Sequence, residues 1–310
     1  MYKRLGRNGP EVSVAALGAG GHSRLGQTGG ASLVHSIGLV REALDLGITM
    51  IDTAPAYGTE HIVGEALQGV IQPIVVSSKA SIRSKDGRRV DAVALRESIE
   101  QSLKRLRREH LDILYLHGVA AADYDFCLLE LVPELQAMRN RGLITQIGIS
   151  ERFNEEPDHA MMRRAAAHDV WDVLMVGLNF FNQSALQNVV PEAKKRGAGI
   201  VCMHAVRGSL ARVDKLAQLT EVAVSRGEVD AGIDARQLAK FVTSEGGSLS
   251  DVAYRFCRHQ SGIDSVLTGT GSSTHLQQNV SAIFGPPLPQ DVEEALRYAY
   301  GRVRSHSGEI

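Results

Sequence analysis

Eight short apolar runs of strand character alternate along this chain with longer segments whose apolar residues recur at helical spacing, and that rhythm restricts its fold more than anything else in it. The runs are Val12–Leu17, Ile48–Thr53, Ile74–Ser78, Leu111–His117, Ile144–Ser150, Val173–Asn179, Gly199–His204 and Ser265–Gly269. Helical patterns cover Ser32–Leu46, Thr59–Leu67, Asp91–Arg108, Cys127–Arg141, Pro157–His168, Ser184–Arg196, Leu249–His259 and Thr274–Phe284, and Leu288–Val303 adds a last one. In Asp91–Arg108, for example, Val93, Leu95, Ile99, Leu103 and Leu106 fall on or near one face. Thr59 reads as the N-cap of its short helix and Gly69 as its stop. Strands joined by helices run parallel. Eight such units predict a closed (β/α)8 TIM barrel, as one α/β domain over residues 1–310, rather than an open doubly wound sheet.

Two stretches stand outside the rhythm. Tyr2–Val12 holds two short apolar segments around Asn8-Gly9-Pro10, which predicts an N-terminal β-hairpin lid. Ala205–Gly247, after the seventh strand, is longer than an ordinary connection. It is expected to be a long loop acting as a lid over cofactor or substrate and carrying short helices.

Catalytic groups of such barrels sit at the C-terminal ends of the strands. Here three consecutive strands end at Asp52-Thr53-Ala54-Pro55-Ala56-Tyr57-Gly58, at Ser77-Ser78-Lys79 and at Leu116-His117-Gly118. Taken singly, Tyr57 is an ordinary turn residue and Lys79 an ordinary solvated cation. Together they form a chemical set. A phenol with a pKa of about 10 is a poor acid at neutral pH. A nearby ammonium lowers that value, and a carboxylate keeps the ammonium charged and aimed. Tyr57, Lys79, Asp52 and His117 therefore suit proton transfer to a carbonyl oxygen.

Composition excludes other classes. The net charge is −1, so no basic surplus points to nucleic acid or an anionic membrane. The basic run Lys104-Arg105-Leu106-Arg107-Arg108 reads as the wet face of a helix. Cys127, Cys202 and Cys257 lack metal-ligand spacing, so no metal site is expected. An odd cysteine count without an apolar leader fits a reducing, cytoplasmic setting. No apolar run reaches the roughly 18 residues of a membrane span. A small molecule is the expected partner. Gly18, Gly20 and Gly21 form only a loose GxGG with no helix directly after it, unlike a Rossmann fingerprint.

The order Ile51-Asp52-Thr53-Ala54-Pro55-Ala56-Tyr57-Gly58-Thr59-Glu60, Ser78-Lys79, Asp112-Ile113-Leu114-Tyr115-Leu116-His117, Ile147-Gly148-Ile149-Ser150, Gly269-Thr270-Gly271 and Leu276-Gln277-Gln278-Asn279 resembles the aldo-keto reductases over nearly the whole chain. The resemblance implies a barrel that binds NADP(H), less often NAD(H), in an extended pose over the C-terminal face of the strands. Hydride would pass between the nicotinamide and a carbonyl carbon of an aldehyde, ketone or sugar, or back from the alcohol. Tyr57 would be the proton donor, Lys79 and Asp52 would tune it, His117 would orient the carbonyl oxygen, and Ser150 would bond the carboxamide. Cofactor contacts are further implied for Gly20, Gly21, Asp52, Met203, His204, Arg207, Gly269, Thr270, Gly271, His275, Gln278 and Asn279. The substrate pocket is expected to include His22, Tyr57, His117 and Tyr124, with Ala120, Ala121 and Ala122 leaving room beside it.

The chain departs from that pattern at several points. Glu151 stands where the family usually has Asn, Met175 where it has Gln, and Met203-His204 where an aromatic ring often stacks on the nicotinamide. Gly269 and His275 replace the usual Lys and Arg at the 2′-phosphate. Gly269-Thr270-Gly271-Ser272-Ser273 still makes a plausible phosphate nest before a helix, and Arg207 offers a spare cation for a phosphate. The resemblance favours NADP(H) over NAD(H). Two other readings fit the same residues: a cofactor-binding redox sensor, and a lyase that forms a Schiff base on Lys79.

Overall fold

The computed structural model describes residues 1–309. The eight runs become parallel strands of one closed barrel. They are β3 (Ala15–Gly18), β4 (Met50–Asp52), β5 (Val75–Ser81), β6 (Leu111–Val119), β7 (Ile144–Glu151), β8 (Val173–Gly177), β9 (Gly199–Met203) and β10 (Ser265–Thr268), with β10 closing on β3. Before them, β1 (Tyr2–Arg4) and β2 (Glu11–Ser13) form the antiparallel hairpin. A (β/α)8 barrel with an N-terminal hairpin is therefore the fold.

Side chains alternate across each strand. Ala16, Met50, Val75, Ile113, Tyr115, Val173, Met175 and Val201 pack together inside the barrel. Their neighbours Leu17, Ile51, Val76, Leu114, Ile149, Leu174 and Ile200 join the outer core with the helices. Both faces are buried, so the strands read as continuous apolar runs. Gly148 has no side chain because Tyr115 fills its place: a Cβ there would strike the Tyr115 ring.

The expectation of one strand over Val12–Leu17 is corrected. The run divides around Val14 into a hairpin strand and a barrel strand. Ser13 makes the break, its hydroxyl donating to the Ala15 carbonyl at 2.6 Å and accepting from the Thr49 amide at 2.8 Å. The hairpin lies far from the strand ends that carry Lys79 and His117. Arg7 N–H donates to the Gly197 carbonyl just before β9, and Leu5 and Val12 complete the inner core. It plugs the N-terminal mouth of the barrel. Truncating the fully buried Leu5 to alanine is expected to cost about 2–5 kcal/mol, measured by urea unfolding.

The segment 205–247 is not a loop with short helices. It holds two full helices, Val213–Ser225 and Ala235–Gly246, each with a buried face built from Leu216, Leu219, Ala223, Ala239 and Val242. Only Ala205, Val206, Arg207 and Gly208 of this segment reach the central cleft. Thr59 occupies the N-cap position of its helix as expected, but its hydroxyl donates to the Ala19 carbonyl rather than capping the helix. The basic run after Ser102 is paired: Arg105 meets Glu60, Arg107 meets Glu65 and Arg108 meets Asp112. Among the described residues, no helix is long and apolar enough to cross a membrane.

Candidate active site

Parallel register brings the expected site residues together. Asp52 at the end of β4 lies beside Ser77, and Lys79 two residues on lies beside Tyr115 of β6. Lys79 is almost fully buried and forms an ion pair with Asp52. Its ammonium also donates to the Thr53 carbonyl at 3.2 Å. Ser77 Oγ donates to Asp52 Oδ1 at 2.8 Å, which fixes the carboxylate. Lys79 Nζ then sits 5.1 Å from the Tyr57 ring centroid and 5.7 Å from that of Tyr115.

A single 3₁₀ turn, Pro55–Tyr57, swings Tyr57 back over the strand ends. Pro55 presets its start, and Gly58 closes it at φ 72°, a left-handed conformation that suits glycine. Gly20 makes the opposite wall. A Cβ there would lie 2.5 Å from the Tyr57 ring. His117 meets Tyr57 edge-on, with centroids 5.6 Å apart and planes at 90°. The register of β6 on β7 shifts between Leu116 and Val119, with Gly118 at φ 57°, and such irregularities re-aim side chains at active sites.

Electrostatics set these groups apart. Burial pushes the Tyr57 phenol above its ordinary value, and Lys79 pulls against that without overcoming it. The expectation of a net downward shift is therefore corrected for this structure: desolvation outweighs the ammonium. Burial also works to lower Lys79, but the Asp52 carboxylate and Tyr57 outweigh it, and its pKa rises. An amine held charged is a poor imine-forming nucleophile, which weighs against the Schiff-base reading. Burial, with Lys79 and Arg152 nearby, pulls the His117 imidazole down to about 3.

These groups open into one cleft of about 690 Å³. Its walls include Gly18, Gly20, Gly21, His22, Asp52, Tyr57, Lys79, His117, Ser150, Glu151, Met175, Met203, His204, Arg207, Gly269 and Thr270. Ser150 Oγ accepts from the Gly118 amide at 2.9 Å and donates to the Leu116 carbonyl at 3.3 Å. Glu151 lies along the cleft, but its carboxylate meets the ring of His159 at 3.0 Å and accepts the Gly177 amide at 2.8 Å. His204 has φ 65°, an uncommon conformation for a residue other than glycine. Its ring lies nearly parallel to Phe153 at 6.2 Å, and Phe153 stacks on His159 at 5.2 Å. Burial, with Arg207 and His22, holds the His204 imidazole down at about 3. Both imidazoles are neutral near pH 7.

Some expected contacts lie elsewhere. Tyr124 is fully buried outside the cleft; its hydroxyl meets His168 Nδ1 at 2.9 Å and accepts from Trp171 at 3.0 Å. Ala120, Ala121 and Ala122 do not line the cleft either. Gly271 faces a neighbouring hollow shared with His22 and Gly26. His275 and Gln278 are exposed on the helix Ser273–Phe284, and Asn279 donates to Thr268 Oγ1 at 3.0 Å. The cleft also contains residues not singled out from sequence: Ser23, Asn154, Tyr254, Leu267, Thr268 and Glu309. Only Ser23, Leu267 and Thr268 adjoin recognised motifs, so only they carried a local signal.

The residues that line this cleft suit a dinucleotide. Its centre offers Ser150 and two neutral imidazoles. Its length runs from the Tyr57–Lys79 pair to the backbone of Gly269–Thr270, and a Cβ at Gly21 would meet nothing within 4 Å.

Comparisons with known proteins agree. The model of the Aldo/keto reductase family matches residues 16–299. The chain is 28% identical to L-galactose dehydrogenase of Arabidopsis thaliana over 293 residues, covering 91% of this chain and 87% of that protein. It is also 28% identical to aldo-keto reductase YhdN of Bacillus subtilis, covering 89% and 86%. The holo form of aldo-keto reductase AKR11C1 from Bacillus halodurans superimposes with a TM-score of 0.73 over 96% of each chain, at 21% identity. A family match that begins within the first barrel strand and ends in the last helix, over a barrel of the same architecture, places this chain in the aldo/keto reductase family.

Proposed function

We propose that the protein interconverts a carbonyl compound and its alcohol, with Tyr57 as the general acid for reduction and the general base for oxidation. One observation carries the reading: Lys79, Asp52, Tyr57 and His117 converge on one cleft, with the Lys79 ammonium facing the phenol and a neutral imidazole at its edge. A bound nicotinamide dinucleotide would supply or accept the hydride. Ser150, Met203 and His204 would hold its nicotinamide end, with Gly20 and Gly21 beside it and Gly269 and Thr270 towards its phosphates. The family resemblance favours NADP(H), and fluorescence titration with both dinucleotides ranks them. Three free, buried cysteines suit the cytoplasmic setting we propose.

The division of labour follows from protonation. An imidazole held at about 3 carries no proton to give at neutral pH. His117 can therefore align a carbonyl oxygen by hydrogen bonding, while the phenol keeps its proton and delivers it. Because the Tyr57 pKa lies above the ordinary 10, the reducing form persists through neutral and mildly alkaline solution. The expected kcat for reduction is flat from about pH 6 to 9, and kcat for oxidation climbs as the pH approaches the phenol pKa. Both follow from initial rates of nicotinamide absorbance change with a small carbonyl and its alcohol. An inflection in reduction near the imidazole range would give the acid role to a histidine and overturn the assignment.

A further inference from the structure

Away from Lys79 and Asp52, the cleft holds a second pair of opposite charges, Arg207 and Glu309. Arg207 is 7% exposed. One terminal nitrogen donates to Asn154 Oδ1 at 2.7 Å, and its Nε is buried without a partner. The Glu309 carboxylate lies 3.9 Å from the guanidinium, beyond hydrogen-bond range. The two charges attract but do not bond: donor capacity remains on Arg207, and acceptor capacity remains on Glu309, whose Oε1 accepts only a long bond from Ser209 Oγ at 3.5 Å. Neither is free to drift. Asn154 Oδ1 also accepts from Ser307 Oγ at 2.9 Å. Asn182 donates to the His306 carbonyl at 2.9 Å and Asn179 to that of Ser307 at 3.0 Å, pinning the segment that carries Glu309.

A buried donor left unused costs about 1–3 kcal/mol, so a ligand that completes it gains affinity. The pair as a whole is neutral. An anion that satisfied Arg207 would meet the Glu309 carboxylate, and a cation would meet the reverse problem. A hydroxyl avoids both conflicts, because it accepts from a guanidinium and donates to a carboxylate. Neighbouring hydroxyls spaced across the gap do both at once. His22 and His204 line the same cleft, and His204, held uncharged by burial, adds a neutral polar edge.

We infer that Arg207 and Glu309, aligned by Asn154, bind adjacent hydroxyl groups of a neutral polyhydroxylated substrate and set specificity for a sugar over a simple aldehyde. The inference rests on the carbonyl–alcohol reading above.

The test compares kcat/KM for a neutral pentose and for pentanal, in the native protein, Glu309→Ala and Arg207→Met. Glu309 is partly exposed, so its variant keeps the fold even if the Arg207 variant does not. The sugar-to-pentanal ratio is expected to fall about tenfold or more, equivalent to about 1.4 kcal/mol, mostly through KM for the sugar. An unchanged ratio overturns the inference. So does a native preference for a sugar acid that disappears with Arg207, which would make the site an anion site. A weakened dinucleotide Kd by fluorescence titration, with the ratio intact, would assign Arg207 to a cofactor phosphate and also overturn it. A native protein that binds no dinucleotide and reduces neither compound overturns the carbonyl–alcohol reading itself, and this one with it.

Discussion

Tyr57→Phe is expected to lower kcat for reduction by about 10²- to 10⁴-fold, the usual contribution of a positioned general acid. Phenylalanine keeps the ring against Gly20 and edge-on to His117, so the shape of the cleft survives and only the hydroxyl is lost. Dinucleotide affinity, followed by protein fluorescence, should hardly move. His117 cannot take over, because burial keeps it without a proton to donate near neutral pH. A variant that retained the native rate would place the acid elsewhere.

Lys79→Met is expected to damage both stability and activity. Removing one partner of a buried ion pair leaves the other uncompensated, at a cost of about 3–5 kcal/mol. Here Asp52 would be left inside the barrel with Ser77 as its remaining side-chain donor. The loss is measured as a lower urea midpoint. Catalysis falls as well, since Lys79 is the cation that draws the phenol pKa down. The double variant Asp52→Asn/Lys79→Met separates the two effects: it is expected to regain most of the stability and stay inactive. The sign of the pH effect is fixed too. Lys79 rises above its ordinary 10.5 on folding, so the pair stabilises fully below that pH. The contribution disappears only as the solution becomes alkaline enough to discharge the amine.

Much of the architecture was legible because both faces of each barrel strand are buried, which leaves uninterrupted apolar runs. Boundaries were less so. Val12–Leu17 reads as one run, yet Ser13 turns its hydroxyl onto the backbone and divides it. The helices in 205–247 follow the same packing rules as the others, but no strand separates them, so the alternation that located the rest offered no guide. Of the expected site residues, Asp52, Lys79, His117, Ser150 and His204, all within three or four positions of a strand end, face the cleft. Tyr124 lies outside the cleft for a local reason. It begins a helical turn that rotates its ring inward to His168 and Trp171. Asn154 and Glu309 meet only through tertiary folding, and nothing near either marks the encounter. The phenol pKa shows the same limit. Charge signs can be read from residue types, whereas the desolvation that outweighs them depends on how deeply the ring is packed.

Asp52, Tyr57, Lys79 and His117 all arise before the midpoint of the chain, whereas Ser150, His204, Arg207, Gly269 and Glu309 come after it or close to it. Gly20, Gly21 and His22 apart, the proposed acid chemistry and the proposed ligand contacts thus come from different stretches of one chain. Under the proposed function, substitutions in the later half would retune what is bound while the earlier half keeps the proposed proton path.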